Sequence, residues 1–273
     1  MKVGILLPFK ENVYEEIASA VQKGFDNAQL SAWDQSLYTD AMAEEVKRAC
    51  RDFNFTVSAL WCGWSGPAVW SYPEMYETLG LVPSDWRAKR TDELLKGADF
   101  AYKIGVSDIV THIGYLPDNP HHPDNLGVVK ALKYICTRLR ARGQYFLLET
   151  GEELPLSLAY LIRDVGADNL GVNFDPANLI LNGRGFCPAE SLKFLAPFIR
   201  GMHAKDALMP IATAPKKIEV AVGSGDADFP RLIAILKEIG YDGYITIEHE
   251  RHNDPRREQE IMETKKYLEA LVG

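Results

Sequence analysis

The 273-residue sequence contains no CxxC pair, no glycine-rich nucleotide loop, no apolar run of membrane-spanning length and no surplus of basic charge. Each absence removes a class of protein. The nearest cysteines, Cys50 and Cys62, are 12 positions apart, and Cys136 and Cys187 are further still. That spacing argues against a zinc knuckle or a disulfide framework and leaves reduced thiols. Acidic residues outnumber basic ones 38 to 30, for a net charge of −8. A protein that binds mainly the nucleic-acid backbone needs clustered Lys and Arg instead. The apolar stretch "VGILL" at the start is too short for a signal-peptide core, and nothing else approaches a transmembrane segment. The expectation is a cytoplasmic protein with neither nucleic acid nor membrane as partner. A doubly wound nucleotide-binding sheet usually places glycines after its first strand, whereas the turn here reads "PFKENV".

What is present points to a barrel. Hydrophobic residues make up 47% and charged residues 25%, enough for a sizeable core. Eight strand-like runs recur: "VGILL" (3–7), "AQLS" (28–31), "TVSALWC" (56–62), "DIVTHI" (108–113), "YFLLE" (145–149), "LGVNFD" (170–175), "IRGMHA" (199–204) and "YITIE" (244–248). Each precedes a segment able to form a helix. Three of these segments carry clean i, i+3, i+4, i+7 apolar spacing. One holds Val128, Ala131, Leu132 and Ile135 and stops at Gly143. Another runs from Pro155 through Leu158, Leu161, Ile162 and Val165 to Gly166. The third has Asp228 as its cap, Phe229, Leu232, Ile233 and Leu236 on one face, and Gly240 at its end. A helix over 255–271 would cover the outside. Eight β-α units in this length predict a (β/α)8 TIM barrel, and with no repeat or linker the whole of 1–273 reads as one domain.

In such a barrel the chemistry gathers where strands end. The last inward residues of the fourth to eighth strands are His112, Glu149, Asp175, His203 and Glu248. Taken singly, each has an ordinary reading. Asp175, before Pro176, can cap a helix, and His203 can be a satisfied core histidine. Taken together, three carboxylates on neighbouring strands would repel one another unless a cation neutralised them. Hard oxygens with one imidazole suit Mn²⁺, Mg²⁺ or Co²⁺ better than zinc.

The stretches "LLETG", "GVNFDPANLIL", "MHAKDA" and "VGSGDADFPRLIAILKEIGYDGYITIE" resemble the sugar phosphate isomerase/epimerase family with its xylose isomerase-like barrel, which includes ketose 3-epimerases. The likeness runs from about residue 90 to 250. It implies that Glu149, Asp175, His203 and Glu248 hold one divalent ion, Mn²⁺ first. It also implies that Glu149 and Glu248 move protons, with Glu250 the near competitor of Glu248. Asn178 stands where such epimerases often carry histidine, and an amide cannot carry a proton. The related endonucleases with three zinc ions need further histidines that "LWCGW", Asn178 and "HAKD" do not supply, so one metal is expected.

The implied reaction is proton abstraction next to a carbonyl on a small sugar, with the metal stabilising the enediolate. The alternative is a metal-dependent lyase or dehydratase acting on a keto-sugar or cyclitol. A sugar-binding barrel without catalysis would require a lost ligand, and none is missing. His112 and Asn178 are candidate substrate contacts. Lys205 alternates inward and is a candidate for a hydroxyl or a phosphate, or for a salt bridge to Asp206 or another acid. The loop "GSGD" (223–226) is read as a tight turn, with an anion cradle as the other option. The long segment 63–86 is rich in aromatics, which can stack on a sugar, pack on the rim or bury in a homodimer or homotetramer. Trp61 and Trp64 are expected nearest the pocket. His121, His122, His249 and His252 are expected to be bystanders.

Overall fold

The computed structural model describes residues 1–182, 187–210 and 218–273. In chain order its strands are β1 (Lys2–Pro8), β2 (Asn27–Ala32), β3 (Thr56–Cys62), β4 (Asp108–His112), β5 (Tyr145–Glu149), β6 (Leu170–Phe174), β7 (Ile199–Ala204), β8 (Asp206–Leu208), β9 (Ile218–Val220) and β10 (Tyr244–Ile247). The helices are α1 (Val13–Gln22), α2 (Asp40–Phe53), α3 (Met75–Thr78), α4 (Ser84–Lys103), α5 (Pro123–Arg140), α6 (Pro155–Val165), α7 (Pro176–Leu181), α8 (Pro188–Leu195), α9 (Phe229–Glu238) and α10 (Arg257–Val272).

Eight strands close into a parallel barrel in the order β1-β10-β7-β6-β5-β4-β3-β2. This is the predicted (β/α)8 architecture, and each of the eight expected strands is found. The additional element is the antiparallel hairpin β8–β9, which follows β7 directly. β6 stops one residue earlier than expected because Asp175 turns the chain into α7. Its carboxylate accepts from the Asn178 amide at 2.9 Å and caps that helix.

Strand alternation sorts the residues into two cores. Outward side chains such as Leu30, Leu60, Ile109, Leu148, Val172, Met202 and Ile245 are buried against the helices. Burial of each such side chain stabilises by about 1.5–3 kcal/mol. The inward apolar set is small: the buried Ala59, Trp61, Val110 and Leu147, and the half-buried Leu6 beside Gln29. The remaining inward positions include the polar residues Gln29, Asn173, His203 and Thr246, all buried. Register aligns them across neighbouring strands, with His112 beside Glu149, Glu149 beside Asn173, and His203 beside Thr246.

The helix stops follow the predicted punctuation. α6 ends on Gly166 at φ +63°, and α9 starts from Asp228, whose carboxylate accepts from the Arg231 amide at 3.3 Å. Positive φ is strained for any side chain, which suits glycine at the helix end. No helix among the described residues is long and apolar enough to cross a membrane.

Candidate metal centre

Glu149 ends β5, Asp175 follows β6, His203 lies near the end of β7 and Glu248 follows β10. One ligand atom from each of these four lies within 4.8 Å of all the others. His203 Nδ1 is 3.2 Å from Glu149 Oε1, 3.3 Å from Glu248 Oε2 and 3.6 Å from Asp175 Oδ2. The other ring nitrogen, Nε2, lies 2.7 Å from Gln29 Oε1. Since that oxygen only accepts, Nε2 carries a proton, and Nδ1 is the nitrogen that faces the carboxylates. Gln29 thus fixes the ring orientation from across the barrel.

Glu149, a carboxylate at the end of a buried strand, meets several donors. The Trp61 indole N–H donates to its Oε2. Asn178 Nδ2 donates to Oε1 at 3.1 Å and to the Thr150 carbonyl at 3.1 Å. His112 Nε2 stands 3.5 Å from the same Oε1. Lys205 is also drawn in: its ammonium lies 2.8 Å from Glu248 Oε2, 3.3 Å from Asp175 Oδ2 and 3.5 Å from Glu250 Oε2. Glu250 is half exposed and outside the cluster.

The charges tune one another. Burial alone would raise the pKa of Glu149, but the imidazoles of His112 and His203 reverse this and hold it below the ordinary carboxylate value. For Glu248 burial is likewise overcome, by Lys205 and His203, and its pKa falls well below normal. Asp175 goes the other way, because burial outweighs the attraction of Lys205. Its buried Oδ2 accepts no well-directed hydrogen bond. Three converging carboxylates, one of them with an unsatisfied oxygen, and an imidazole nitrogen turned toward them form a donor set that fits a hard divalent cation.

A sequence model of the xylose isomerase-like TIM barrel matches residues 17–271. The chain belongs to that family. A xylose isomerase domain protein from Planctomyces limnophilus superposes with a TM-score of 0.91 at 32% identity, over 99% of this chain and 96% of that one. An uncharacterised protein from Methanocaldococcus jannaschii is 32% identical over 117 residues, which is 43% of this chain but only 38% of that relative. An inosose dehydratase from Lacticaseibacillus casei is 23% identical over 211 residues, 66% of this chain and 70% of its own length. The D-psicose 3-epimerase of Clostridium cellulolyticum H10, solved with D-tagatose, has a TM-score of 0.73 at 15% identity, over 100% of this chain and 99% of that one. At that identity the likeness concerns the fold.

Around the centre of this xylose isomerase-like barrel lies a cleft whose full extent, including a groove beside α1 and α10, is about 1180 Å³. One wall is aromatic. Trp61 stands 5.1 Å from Trp33 and 5.9 Å from His112 by ring centroids, and Trp70 stands 5.0 Å from His112. Trp33, Trp61 and Trp70 line the cleft. Trp64, expected at the pocket, is buried behind this wall, 5.6 Å from Trp33 and 6.2 Å from Trp61. The reason is Arg90, whose guanidinium stacks on Trp64 at 5.3 Å and draws that part of the loop inward.

Several neighbours escaped the sequence reading. Gln29 and Trp33 sit at inward positions of β2 and its end, where alternation could have found them. Glu152 and Glu153 follow the strand that supplies Glu149. Glu152 Oε2 is 3.9 Å from His112 Nδ1, and Glu153 is pushed up to about 8 by burial and by the charge of Glu152. Gly151 is what lets His112 pack there, since a β-carbon at 151 would lie 2.7 Å from His112 Nδ1. Glu219 on β9 is raised to about 7, chiefly by burial, and accepts from the Glu250 amide at 3.0 Å. His249, expected to be idle, is buried with Nε2 3.0 Å from Glu260 and also borders the cleft. His122 caps α5, accepting from the Asp124 amide at 3.2 Å.

Proposed function

We propose that the protein is a divalent-metal-dependent sugar isomerase or epimerase that abstracts a proton next to a carbonyl. The observation that carries this reading is the placement of Glu149 and Glu248 in one buried cluster. They stand on barrel strands separated by β6 and β7, so they address its centre from different sides. Glu149, Asp175, His203 and Glu248 would hold the ion, with Mn²⁺ the metal proposed and Mg²⁺ or Co²⁺ the substitutes. A cation there supplies Lewis acidity toward a carbonyl and its neighbouring hydroxyl.

The protein groups do the proton work. One of Glu149 and Glu248 takes the α-proton as its C–H bond breaks, leaving an enediolate. The other, ionised at rest, takes up a proton from solvent or a substrate hydroxyl and delivers it to the opposite face or to the adjacent carbon. The first outcome is an epimer and the second an isomer. Trp61 and Asn178 orient Glu149 by donating to its two oxygens, and Lys205 orients Glu248. Asn178 positions without carrying a proton. His112, beside Glu149, is placed to hydrogen-bond a substrate oxygen. The aromatic wall keeps bulk water from the reacting carbon.

The second reading is a dehydratase or lyase acting on a keto-sugar or cyclitol. It begins with the same proton transfer and then expels a hydroxyl. The likeness to an inosose dehydratase favours it.

The deciding experiment is incubation of the manganese-loaded protein with ketohexoses and ketocyclitols in D₂O. Deuterium should enter at one carbon beside the carbonyl, and Glu149→Gln and Glu248→Gln should each abolish uptake. Products that differ from the substrate only by the deuterium gained identify an isomerase, and loss of water identifies the dehydratase. Absence of exchange with every substrate at saturating manganese would remove the proton-abstraction reading altogether.

A further inference from the structure

We propose that this site selects a neutral carbohydrate ring and rejects phosphorylated sugars. The inference takes its chemistry from the preceding reading, but its binding argument stands on separate observations.

The first is the fate of the backbone amides that could cradle a phosphate. In (β/α)8 barrels the loops after the last strands, with a helix N-terminus, commonly serve as the phosphate site. Here the loop 223–227 does present converging N–H groups, but they close on a carboxylate of the protein itself. Asp206 Oδ2 accepts from the Gly223 amide at 2.9 Å and the Gly225 amide at 3.0 Å. Its Oδ1 accepts from the Ala207 amide at 2.9 Å and the Ala227 amide at 3.1 Å. A β-carbon at position 225 would lie 2.2 Å from Asp206 Oδ1, so the nest is shaped tightly around this internal anion. The N-terminus of α9, next along the chain, is capped in turn by Asp228. Two acids of the protein thus occupy the anion-binding amides of this region.

The second observation is the charge of the cleft. Glu152, Glu219 and Glu250 line it in addition to Glu149 and Glu248. Lys205 is already engaged by Asp175, Glu248 and Glu250. Among the described lining residues the lysines and arginines are three: Lys23, paired with Glu258 at 2.8 Å, Arg257 on α10, which donates to the His249 carbonyl at 3.4 Å, and the exposed Lys10, fewer than the five glutamates just named. A phosphate ester carries close to two negative charges at neutral pH and only acceptor oxygens. Carboxylates repel it, whereas they accept hydrogen bonds from sugar hydroxyls.

The third is the facing wall. Trp33 is 43% and Trp70 40% exposed, and both edge the cleft next to buried Trp61. Half-exposed indoles beside acceptor carboxylates match the two faces of a sugar ring, apolar C–H on one side and hydroxyl donors on the other.

The test uses the full chain loaded with manganese. Deuterium uptake is compared for D-fructose and D-tagatose against their 6-phosphates, and binding of myo-inositol and methyl β-D-glucopyranoside is followed by tryptophan fluorescence. Uptake by each phosphate should be lower than by its parent sugar by about tenfold or more in kcat/KM. The two neutral rings should quench fluorescence, with affinity weakened about fivefold or more in Trp33→Ala and Trp70→Ala. A phosphorylated sugar that exchanges as fast as its parent overturns the proposal while leaving the isomerase reading intact. Rings that do not bind, or bind equally to both variants, also overturn it. If no sugar of either kind exchanges, the isomerase reading falls, and quenching decides the proposal alone: it stands if the neutral rings quench through Trp33 and Trp70 and the 6-phosphates do not, and falls if the phosphates quench equally.

Discussion

Arg90→Met tests what holds the aromatic wall in place. Arg90 is fully buried on α4, and its guanidinium donates to four backbone carbonyls of the segment preceding that helix. The acceptors are Ser65 at 3.2 Å and Pro67, Thr78 and Gly80 at 2.8 Å each. The rings of Trp64 and Trp86 both face the guanidinium at 5.3 Å. Methionine keeps most of the apolar stem and removes every donor. Hydrogen bonds to a charged group contribute about 1.5–3 kcal/mol each, so four sum to roughly 6 kcal/mol at the low end. The dehydration of a buried guanidinium works against that sum, and burial already pushes the Arg90 pKa down to about 10. The freed carbonyls also regain some water. A net loss of about 3 kcal/mol follows. If the loop stays coupled to the barrel, that loss lowers Tm by roughly 6–12 °C. If it detaches alone, Tm moves less and the loop becomes a protease target. Thermal unfolding and limited proteolysis with mapping of the cuts to residues 63–83 separate the two outcomes. A variant with unchanged Tm and unchanged resistance in that segment would refute the reasoning.

Two further predictions rest on buried polar groups. Gln29→Leu removes the acceptor of the His203 Nε2 proton and should weaken Mn²⁺ binding by about 10–100-fold, read by titration calorimetry. Gln29→Glu keeps an acceptor and should lose much less, and affinity within about twofold of wild type for Gln29→Leu would refute the orienting role. Glu153 is pushed from 4.5 up to about 8 when folded, so the folded state holds its proton while the unfolded state releases it. The sign is therefore a stability that falls as pH rises through that window, at up to about 1.4 kcal/mol per pH unit. Glu153→Gln should match wild type near pH 4 and exceed it by a few kcal/mol, on the order of 3–4, near pH 8. Unfolding curves of both proteins that stay parallel from pH 4 to 8 would show Glu153 to be ionised in the fold.

The later half of the barrel was legible because its strands obey one rule. In "YFLLE" the outward Phe146 and Leu148 are apolar and the inward end is Glu149, and "LGVNFD" and "YITIE" repeat the pattern. The same alternation applied to β2 reaches Gln29 and then Trp33. Its polar residue lies in mid-strand and not at the strand end where the others carry their acids, so the end-of-strand rule passes over it. Its role depends on barrel closure, which brings Gln29 to His203 across 174 positions. The aromatic segment was legible as a composition but not as an arrangement. Which indole faces the cleft is decided by the four carbonyls that Arg90 gathers, and no residue pattern announces that convergence.

Lys205 and Asp206 show how far adjacency can mislead. As neighbours of opposite charge they invite a salt bridge, and the sequence left that option open. Strand alternation separates them, because β7 continues almost directly into β8 and successive side chains leave on opposite sides. Lys205 turns in and meets Asp175, Glu248 and Glu250, while Asp206 turns out and is buried among four backbone amides. Each charge is then satisfied by partners distant in sequence. The loop read as either a tight turn or an anion cradle is both at once, and the anion it holds is the residue beside Lys205. Had the two paired with each other, the amides of 223–227 would have stayed open to a phosphate, and the acids of the cluster would have lacked the ammonium that keeps Glu248 ionised.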